Sequence, residues 1–467
     1  MTATTGDRKS TGGDTLDDGP STGGTPPTTA AAITDGPDDE SFDADSFDAD
    51  SFDAESFDGA PGAGGMFASL HIHNYRLYFF GQSTSVAGNW MQNVAISWVV
   101  LQLSHSGVVL GAMTAARFVP LLLLGPWGGL ITDRSDKRRM MTITQTCSAV
   151  LSLVLAVLSL TGHVSLGALI AIVVSLGIVN VFDGPARQSL ISNMVGRDRI
   201  ANAIALNSIA MNTSRIVGPA VGGLLIATVG VTPCFFVNAI SFVAVIASLV
   251  AMRASELMPS KREVRSKGQI RAGLRYIAGT PALVAPLVMV LVTGTFAWEF
   301  PVTLPLLTTQ TFHGSAAVYG TIMACLGIGS IGGALAAAKR RRLSVRSLSL
   351  SAAIWGLLIA ASAAAPNLAV LYGVIVLVGA GAITFNSAAK TLLQLESAPQ
   401  MRGRVMAIWS MSWQGSTVVG APIVGAIGGS FGARYALLIG GVASLAIGAL
   451  YLVARRKAVD HLAFGSD

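Results

Sequence analysis

The sequence predicts an all-α membrane protein of twelve transmembrane helices in two pseudo-symmetric six-helix bundles. Three observations predict it. Of 467 residues, 52% are hydrophobic and only 12% are charged. Long apolar runs alternate with connectors that are basic and neutral in turn. Residues of the first half recur in the second at a constant offset of 203 positions.

The composition comes first. Soluble domains average about 25% charged residues. Half that share, with a mean hydropathy of +0.60, leaves too little charge to cover a soluble surface. Several very apolar soluble domains would expose large patches and aggregate, so the outer face belongs in lipid. The net charge of +6 hides a segregation. Residues 1–65 hold 15 of the 25 acids and only Arg8 and Lys9, which leaves them near −13. Residues 66–467 hold 29 bases against 10 acids, near +19. Such a basic core faces the anionic headgroups of a bilayer. No zinc spacing, recognition helix or aromatic-interleaved basic stripe points to nucleic acid. Cys147, Cys234 and Cys325 lie far apart in or beside apolar runs and read as small packing residues, and no metal site is expected.

Residues 1–65 form the first segment, rich in Thr, Gly, Asp, Ser and Pro. A short repeat runs through it: SFDAD from Ser41 and Ser46, SFDAE from Ser51, SFDG from Ser56. A lone Phe every five residues cannot offset chain entropy. The expectation is a disordered, acidic cytoplasmic tail without the charged start and apolar centre of a signal peptide. It is either a binding arm built on the Phe-Asp repeats or a solvated extension.

Spans are expected at 78–103, 107–132, 140–161, 165–184, 204–229, 233–252, 282–306, 316–338, 348–365, 368–389, 405–428 and 434–454. Most reach the roughly 20 residues a bilayer helix needs. The connectors assign their sides. Arg134, Lys137, Arg138 and Arg139 follow span 2, Arg187, Arg197 and Arg199 follow span 4, and Lys339 to Arg342 follow span 8. Lys390, Arg402 and Arg404 follow span 10, and Arg455 to Lys457 follow span 12. The opposite connectors hold Arg434 as their one Lys or Arg, with His105, His163 and His313. This alternation implies an even number of spans and both termini in the cytoplasm.

The longest basic connector divides the chain. It separates an N-terminal six-helix bundle at 66–252 from a C-terminal one at 282–454, with 253–281 as a cytoplasmic linker and 455–467 as a cytoplasmic C-terminal tail. Phe182, Ala186, Arg187, Arg199, Pro219 and Gly222 become Phe385, Ala389, Lys390, Arg402, Pro422 and Gly425, each 203 positions on. Two related six-span halves are the parallel-repeat plan of a rocking transporter, with the solute site between them near mid-membrane.

The most specific motif follows span 2: Gly129-Leu-Ile-Thr-Asp133-Arg134-Ser-Asp-Lys137-Arg138-Arg139. It resembles the G-x-x-x-D-R-x-x-R-K signature of the major facilitator superfamily. Gly129 allows close helix approach. Asp133 can cap a neighbouring helix or pair with a base. Arg134, Lys137 and Arg138 can anchor the loop to phosphate groups and to acids across the half-interface. The resemblance implies a conformational latch that holds an outward-open state. Asp136 stands where the family often has Gly, and the second half, Gly333 followed by Lys339 to Arg342, lacks the acid.

Gly218-Pro219-Ala220-Val221-Gly222-Gly223 in span 5 resembles the Gly-Pro motif of antiporters in that superfamily. Its partner in span 11 contains Pro422 and Gly425. The proline frees a carbonyl and the glycines permit tight packing; packing without any coupling role is an equal reading. Further stretches, Asn74-Tyr-Arg-Leu-Tyr, Trp90-Met91-Gln92, Phe182-Asp-Gly-Pro-Ala-Arg187-Gln188 and Asn202-Ala-Ile-Ala-Leu-Asn207-Ser, resemble the bacterial exporter branch that holds enterobactin exporters and macrolide-type efflux proteins. The resemblance covers about 70–460. It implies proton-driven export of a small amphiphilic molecule through the bacterial cytoplasmic membrane, without naming it.

Charges inside spans define the candidate site, because a buried ion costs several kcal/mol unless it is paired or faces water. Glu299, in Trp298-Glu299-Phe300-Pro301 of span 7, is the leading candidate for proton coupling, with Asp183 as a second. A structural ion pair between Glu299 and Arg117 or Arg215, or a place nearer the interface, is the alternative. Asp183 and Arg187, four apart, are expected to pair locally. Arg117 and Arg215 are candidates for contact with an anionic cargo or an acidic helix. Trp90, Gln92, Asn93, Trp98, Trp355, Asn386 and Trp413 are candidates to line the cavity, against the alternatives of interface anchoring and core packing.

No Walker G-x-x-x-x-G-K-[ST] is present, and no nucleophile has a recognisable base, so neither ATP use nor enzymatic chemistry is expected. The energy source is a proton gradient, with no cofactor, and the working unit is a monomer. Import or uniport, and a non-transporting receptor or scaffold with the tail as its working part, are the rival functions.

Overall fold

Lipid offers no hydrogen bonds to a backbone, so each spanning segment must satisfy its own. The computed structural model describes residues 67–258, 269–338 and 343–464, apart from the side chains of Pro126, Asp133 and Arg197 and of positions 269–270 and 454–464. The expectations for 1–65, for Lys339 to Arg342, for the Asp133 carboxylate and for the side chains of Arg455 to Lys457 lie outside the described residues.

Among the described residues the secondary structure is helical throughout. Spans 1 to 6 are α1 (His73–Ser104), α2 (Gly107–Arg134), α3 (Lys137–Leu160), α4 (Leu166–Met194), α5 (Ile200–Thr228) and α6 (Thr232–Ala251). A short helix, α7 (Gln269–Ala278), follows in the connector. Span 7 is discontinuous: α8 (Pro281–Phe296), a break, α9 (Phe300–Leu306) and a π turn at Leu307–Thr311. Spans 8 to 12 are α10 (Ala316–Ala338), α11 (Val345–Ala363), α12 (Leu368–Glu396), α13 (Pro399–Ser430) and α14 (Ala433–Phe464).

Ten of these spans are apolar enough to be recognised by length and composition alone. The other two, α1 and α13, are 32 residues each. Polar residues dilute them: Asn74, Gln82, Gln92 and Asn93 on α1, and Arg402, Arg404 and Gln414 on α13. Such residues are tolerated in a span that faces protein or water rather than lipid. Several helices also outrun their apolar stretch on the side of the basic connectors. α4 continues to Met194 and α12 to Glu396, well past the expected ends at 184 and 389. Helical hydrogen bonding does not stop where the lipid does.

The chain reverses in short connectors whose polar residues cap the next helix. The hydroxyls of Ser106 and Ser165 accept from the amides of Val109 and Ala168, and Asn367 accepts from Val370 at 3.0 Å. Asp136 accepts from the Arg139 amide at 2.7 Å. A residue that breaks the family's glycine pattern is therefore the N-cap of α3. Arg434 donates to the Ala365 carbonyl at 2.8 Å, just past the end of α11.

The packing repeats itself. In the first half span 1 packs on spans 5 and 6, span 2 on span 4, and span 3 on spans 4 and 6. In the second half span 7 packs on spans 11 and 12, span 8 on span 10, and span 9 on spans 10 and 12. Adding six to each span number turns one set of contacts into the other. The halves meet mainly where span 2 lies on span 11 and span 5 on span 8, a pair of contacts that the same operation exchanges.

Those contacts are backbone on backbone. A side chain at Gly107 or Gly111 of α2 would strike the backbone of Gly425 or Ala421 on α13, and one at Gly223 of α5 would strike Gly320 of α10. These positions lie toward the end of the molecule opposite the basic connectors. Gly327 against Ile216, and Gly415 against Leu122, lie near mid-length. The halves are in close backbone contact toward the neutral end. Gly425→Ala should therefore lower the thermal unfolding midpoint of the purified protein, as overpacking costs about 1–3 kcal/mol. Gly373→Ala, at a position with open space around it, should leave that midpoint unchanged or raise it.

Candidate functional site

Helix geometry puts the charged candidates at one depth. Asn93 is 11 residues from the neutral end of α1, Arg117 is 10 from that of α2, and Arg215 is 13 from that of α5. Glu299 is 12 residues from Thr311, where span 7 ends. At a rise of about 1.5 Å per residue, all four lie roughly 15–20 Å down, the middle of a hydrocarbon core about 30 Å thick.

On the N-terminal half, one turn of α1 gathers two cations. Trp90 and Asn93 are three apart and share a face. Arg117 Nη1 donates to Asn93 Oδ1. The Arg215 guanidinium lies 5.2 Å from the centroid of the Trp90 ring, a cation–π contact. The span-5 motif makes this possible. A side chain at Gly218 would strike the Ala87 carbonyl and Trp90 Cβ, and one at Gly222 would strike Met91. Pro219 has no amide to offer the carbonyl of Arg215, four residues earlier. The glycines that bring α5 against α1 thus also set the Arg215 side chain over Trp90. In span 11, Pro422 and Gly425 meet Gly111 and Gly107 of α2.

Gln92 points elsewhere. Its amide oxygen accepts from Asn238 of α6 at 2.8 Å, and Asn238 also reaches Ser152 of α3. The structure places Gln92 in the core of the N-terminal half, contrary to its expected cavity position: it sits beside Trp90 in sequence but on another face of the helix. Trp98 is half-buried against the apolar core.

On the C-terminal half, Glu299 occupies the break in span 7. It is the N-cap of α9, with Pro301 in the first turn, and it is 2% exposed. Thr417 of α13 hydrogen-bonds its carboxyl, while Oε1 has no protein partner. Among the described residues no basic side chain comes within ion-pair distance of it, so the expected alternative of a Glu299–Arg117 or Glu299–Arg215 pair is not formed in this conformation. Tryptophans surround the break. Trp298 packs edge-on against Trp413 with centroids 4.4 Å apart and against Trp355 at 5.5 Å. Trp413 stacks on Trp409 at 6.2 Å, and Lys390 Nζ lies 5.6 Å from the Trp409 centroid. Trp355, fully buried, is a core residue of this half rather than a lining one. Asn386 is buried, its carbonyl oxygen without a protein partner, as are the indole nitrogens of Trp355 and Trp409. Buried polar atoms are normally satisfied.

Asp183 lies further toward the basic end, on α4. The Thr144 hydroxyl and the Gln145 amide of α3 both donate to its Oδ1 at 2.8 Å. The local Asp183–Arg187 ion pair expected from their spacing is absent among the described residues, because α3 supplies two neutral donors instead. The hydroxyl of Tyr78 and Nε of Arg187 are buried beside this group without hydrogen-bond partners.

At the candidate latch, Gly129 is buried and Arg134 ends α2 exposed. Lys137 Nζ donates to the Thr132 carbonyl. Arg138 Nε and Nη2 donate to the carbonyls of Leu249 and Val250 at 2.6 and 2.8 Å. A cation there complements the negative end of the α6 dipole. In this conformation Arg138 holds span 6 of its own half.

Sequence reasoning missed the break in span 7, Thr417, Tyr78, the Thr144–Gln145 clamp and the burial of Lys390. Two signals were available. Pro301 directly after Glu299-Phe300 disfavours an unbroken helix, and Lys390 stands at the offset of Arg187.

Two six-helix halves related by a parallel repeat have the architecture of a polytopic transporter of the major facilitator type. Residues 64–466 match the family described as transmembrane secretion effector, and the chain belongs to it. It is similar to the staphyloferrin A transporter of Staphylococcus aureus (strain NCTC 8325 / PS 47), 26% identical over 81% of this chain and 96% of that one. The multidrug efflux pump Tap of Mycolicibacterium fortuitum is 27% identical over 71% and 83%. The enterobactin exporter EntS of Escherichia coli O1:K1 is 25% identical over 81% and 91%. Among solved structures, a bacterial homologue of the human lysosomal transporter Spinster, inward-facing and unoccupied, superposes with a TM-score of 0.65 at 13% identity, covering 85% of this chain and 98% of that one. The nucleoside transporter NupG superposes with a TM-score of 0.64 at 13% identity, covering 82% and 98%. The protein is a transporter, not an enzyme, and a multi-pass protein of the bacterial plasma membrane.

Asp183→Leu should remove the acceptor that Thr144 and Gln145 share and cost about 1–3 kcal/mol of stability, read by thermal unfolding in detergent. Asp183→Asn, which keeps an acceptor oxygen, should cost clearly less.

Proposed function

We propose that the chain is a proton-coupled exporter of a small amphiphilic molecule, working by alternating access. The observation that carries the proposal is Glu299: an acid at mid-depth, held by Thr417, in the break of a discontinuous helix, with no basic side chain in ion-pair reach among the described residues. Discontinuous spans mark coupling and substrate sites because their ends can shift while the remaining helices move as blocks. A buried carboxyl favours different surroundings in its neutral and ionised forms. Protonation therefore biases the conformational equilibrium of any pocket that is dry in one state and wet in the other. Asp183, buried between α3 and α4, is the second candidate proton site.

The basic connectors face the cytoplasm, and with them both termini and the tail. The state described, sealed at the neutral end, is then the one that receives cargo from inside. The basic connector after span 2, with Asp133, Arg134, Lys137 and Arg138, closes against the other half in the opposite state. Export agrees with two of the relatives, an efflux pump and an exporter. No cofactor is required: the proton gradient supplies the energy, a monomer contains the whole pathway, and anionic headgroups bind the basic loops.

In vesicles loaded with a fluorescent amphiphile and given a pH gradient, Glu299→Gln should abolish the gradient-dependent part of efflux and spare the passive leak. Normal coupled efflux by that variant would remove Glu299 from the mechanism. Deleting residues 2–65 should leave the transport rate unchanged; loss of transport would instead make the tail a working part.

A further inference from the structure

Span 7 departs from α-helical geometry twice. It breaks at Ala297–Glu299, and it widens into a π turn at Leu307–Thr311. Between them lies α9, seven residues long and buried along almost its whole length. The two parts of the span have different neighbours. α8 packs on α11 to α14 of its own half, whereas α9 also packs on α1 and α2 of the other. Leu306 shows how. Its Cδ1 lies where a side chain at Gly107 of α2 or at Gly428 of α13 would stand. The end of α9 thus fills the seam where the halves meet toward the neutral end. A segment with irregular hydrogen bonding at both ends tilts with few bonds to break.

Beyond the π turn, Phe312 meets Arg434. The guanidinium lies 5.9 Å from the Phe312 ring centroid, and its Nη2 donates to the Ala365 carbonyl at 2.8 Å. General rules argue against an arginine here. It stands in the first turn of α14, at the positive end of that helix dipole, and it is the one Lys or Arg of the neutral connectors. Its two contacts supply the reason. Ala365 lies just past the carbonyl end of α11, where a cation is favoured, and Phe312 carries the end of span 7. One side chain therefore joins α14, α11 and span 7.

Resting on the alternating-access reading above, we infer that Arg434 is a positioning residue of transport. It clasps the neutral end of span 7 to the second half and keeps α9 seated in the seam, and α9 moves separately from the rest of that half when the clasp opens. The break and the π turn are the two hinges. The backbone contacts of α2 with α13 do not involve Arg434, so α9 leaves the seam without the walls parting.

Spin labels on the full-length protein, with its three native cysteines replaced, test this in neutral-lipid nanodiscs at one pH. No cargo or gradient is present, so the result is independent of direction and of proton coupling. One pair joins Val108 on α2 to Gln310, exposed in the π turn. The other joins Val108 to Phe431 at the end of α13. Double electron–electron resonance on the unsubstituted protein should give a main short Val108–Gln310 distance. Arg434→Gln should raise the longer-distance fraction about fivefold, the scale of one charge-assisted hydrogen bond with one cation–π contact, and leave Val108–Phe431 unchanged. Arg434→Lys, which keeps a cation able to reach the Ala365 carbonyl, should restore part of the short population. Phe312→Leu, which keeps an apolar body without the ring face, should shift the first pair the same way, and it decides alone where Arg434→Gln fails to fold. An unchanged Val108–Gln310 distribution in these two variants, or equal changes in both label pairs, would overturn the inference. The expected shifts in a protein that shows no pH-driven efflux would uphold it while sinking the proton-coupled reading.

Discussion

A charge held in the middle of a bilayer must meet a partner or water, and the rest of this structure depends on that constraint. Lipid forces the backbone into helices and drives most of the ionisable side chains to the ends, where they set the alternation of basic and neutral connectors. What stays inside is a short roster: Arg117, Asp183, Arg187, Arg215, Glu299 and Lys390. Five of the six have identifiable partners on neighbouring helices. Asp183 has a hydroxyl and an amide from α3, Arg117 an amide from α1, Arg215 and Lys390 an indole face each. Glu299 has one hydroxyl and a broken helix. Its second carboxyl oxygen, Oε1, has no protein partner.

The pseudo-symmetry of the scaffold makes its asymmetry informative. The contacts between spans repeat from one half to the other, down to the glycine-proline segments at the seam. The polar residues do not. Asp183 of span 4 becomes Asn386 in span 10, and Arg187 becomes Lys390. The first half carries arginines at mid-depth, held on α1. The second offers an acid among tryptophans. The two halves share one scaffold and carry different chemistry at mid-depth. Glycine fixes how closely the walls meet: at the neutral end the backbones of α2 and α13, and of α5 and α10, touch where any side chain would intrude.

Much of this was legible in the sequence because lipid acts on composition. Spans, sides and the two-fold repeat follow from apolar runs, Lys and Arg placement and a fixed offset. Helix ends were less legible, since α4 and α12 continue as helix after their apolar stretch is spent. The site was half legible. Charges such as Glu299, Arg117 and Arg215 stand out in an apolar run, but the side a residue faces does not. Gln92 shares a stretch with Trp90 and Asn93 and yet turns toward Asn238 in the core. Asp183 and Arg187 have the spacing of an ion pair, and it took the tertiary position of Thr144 and Gln145 to redirect the carboxylate. The break at Ala297–Glu299 came from tertiary packing acting on a proline signal that alone is ambiguous.

The central claim is that protonation at Glu299 moves the equilibrium between a state sealed at the neutral end and a state open there. Spin labels at Val108 on α2 and Phe431 beyond α13, in a protein whose three native cysteines are replaced, span that seal. Double electron–electron resonance across a pH series reads it directly. The account predicts two distance populations whose ratio changes with pH, and a ratio independent of pH in Glu299→Gln. A single distance at all pH values, or a pH response that persists unchanged in the variant, would contradict it.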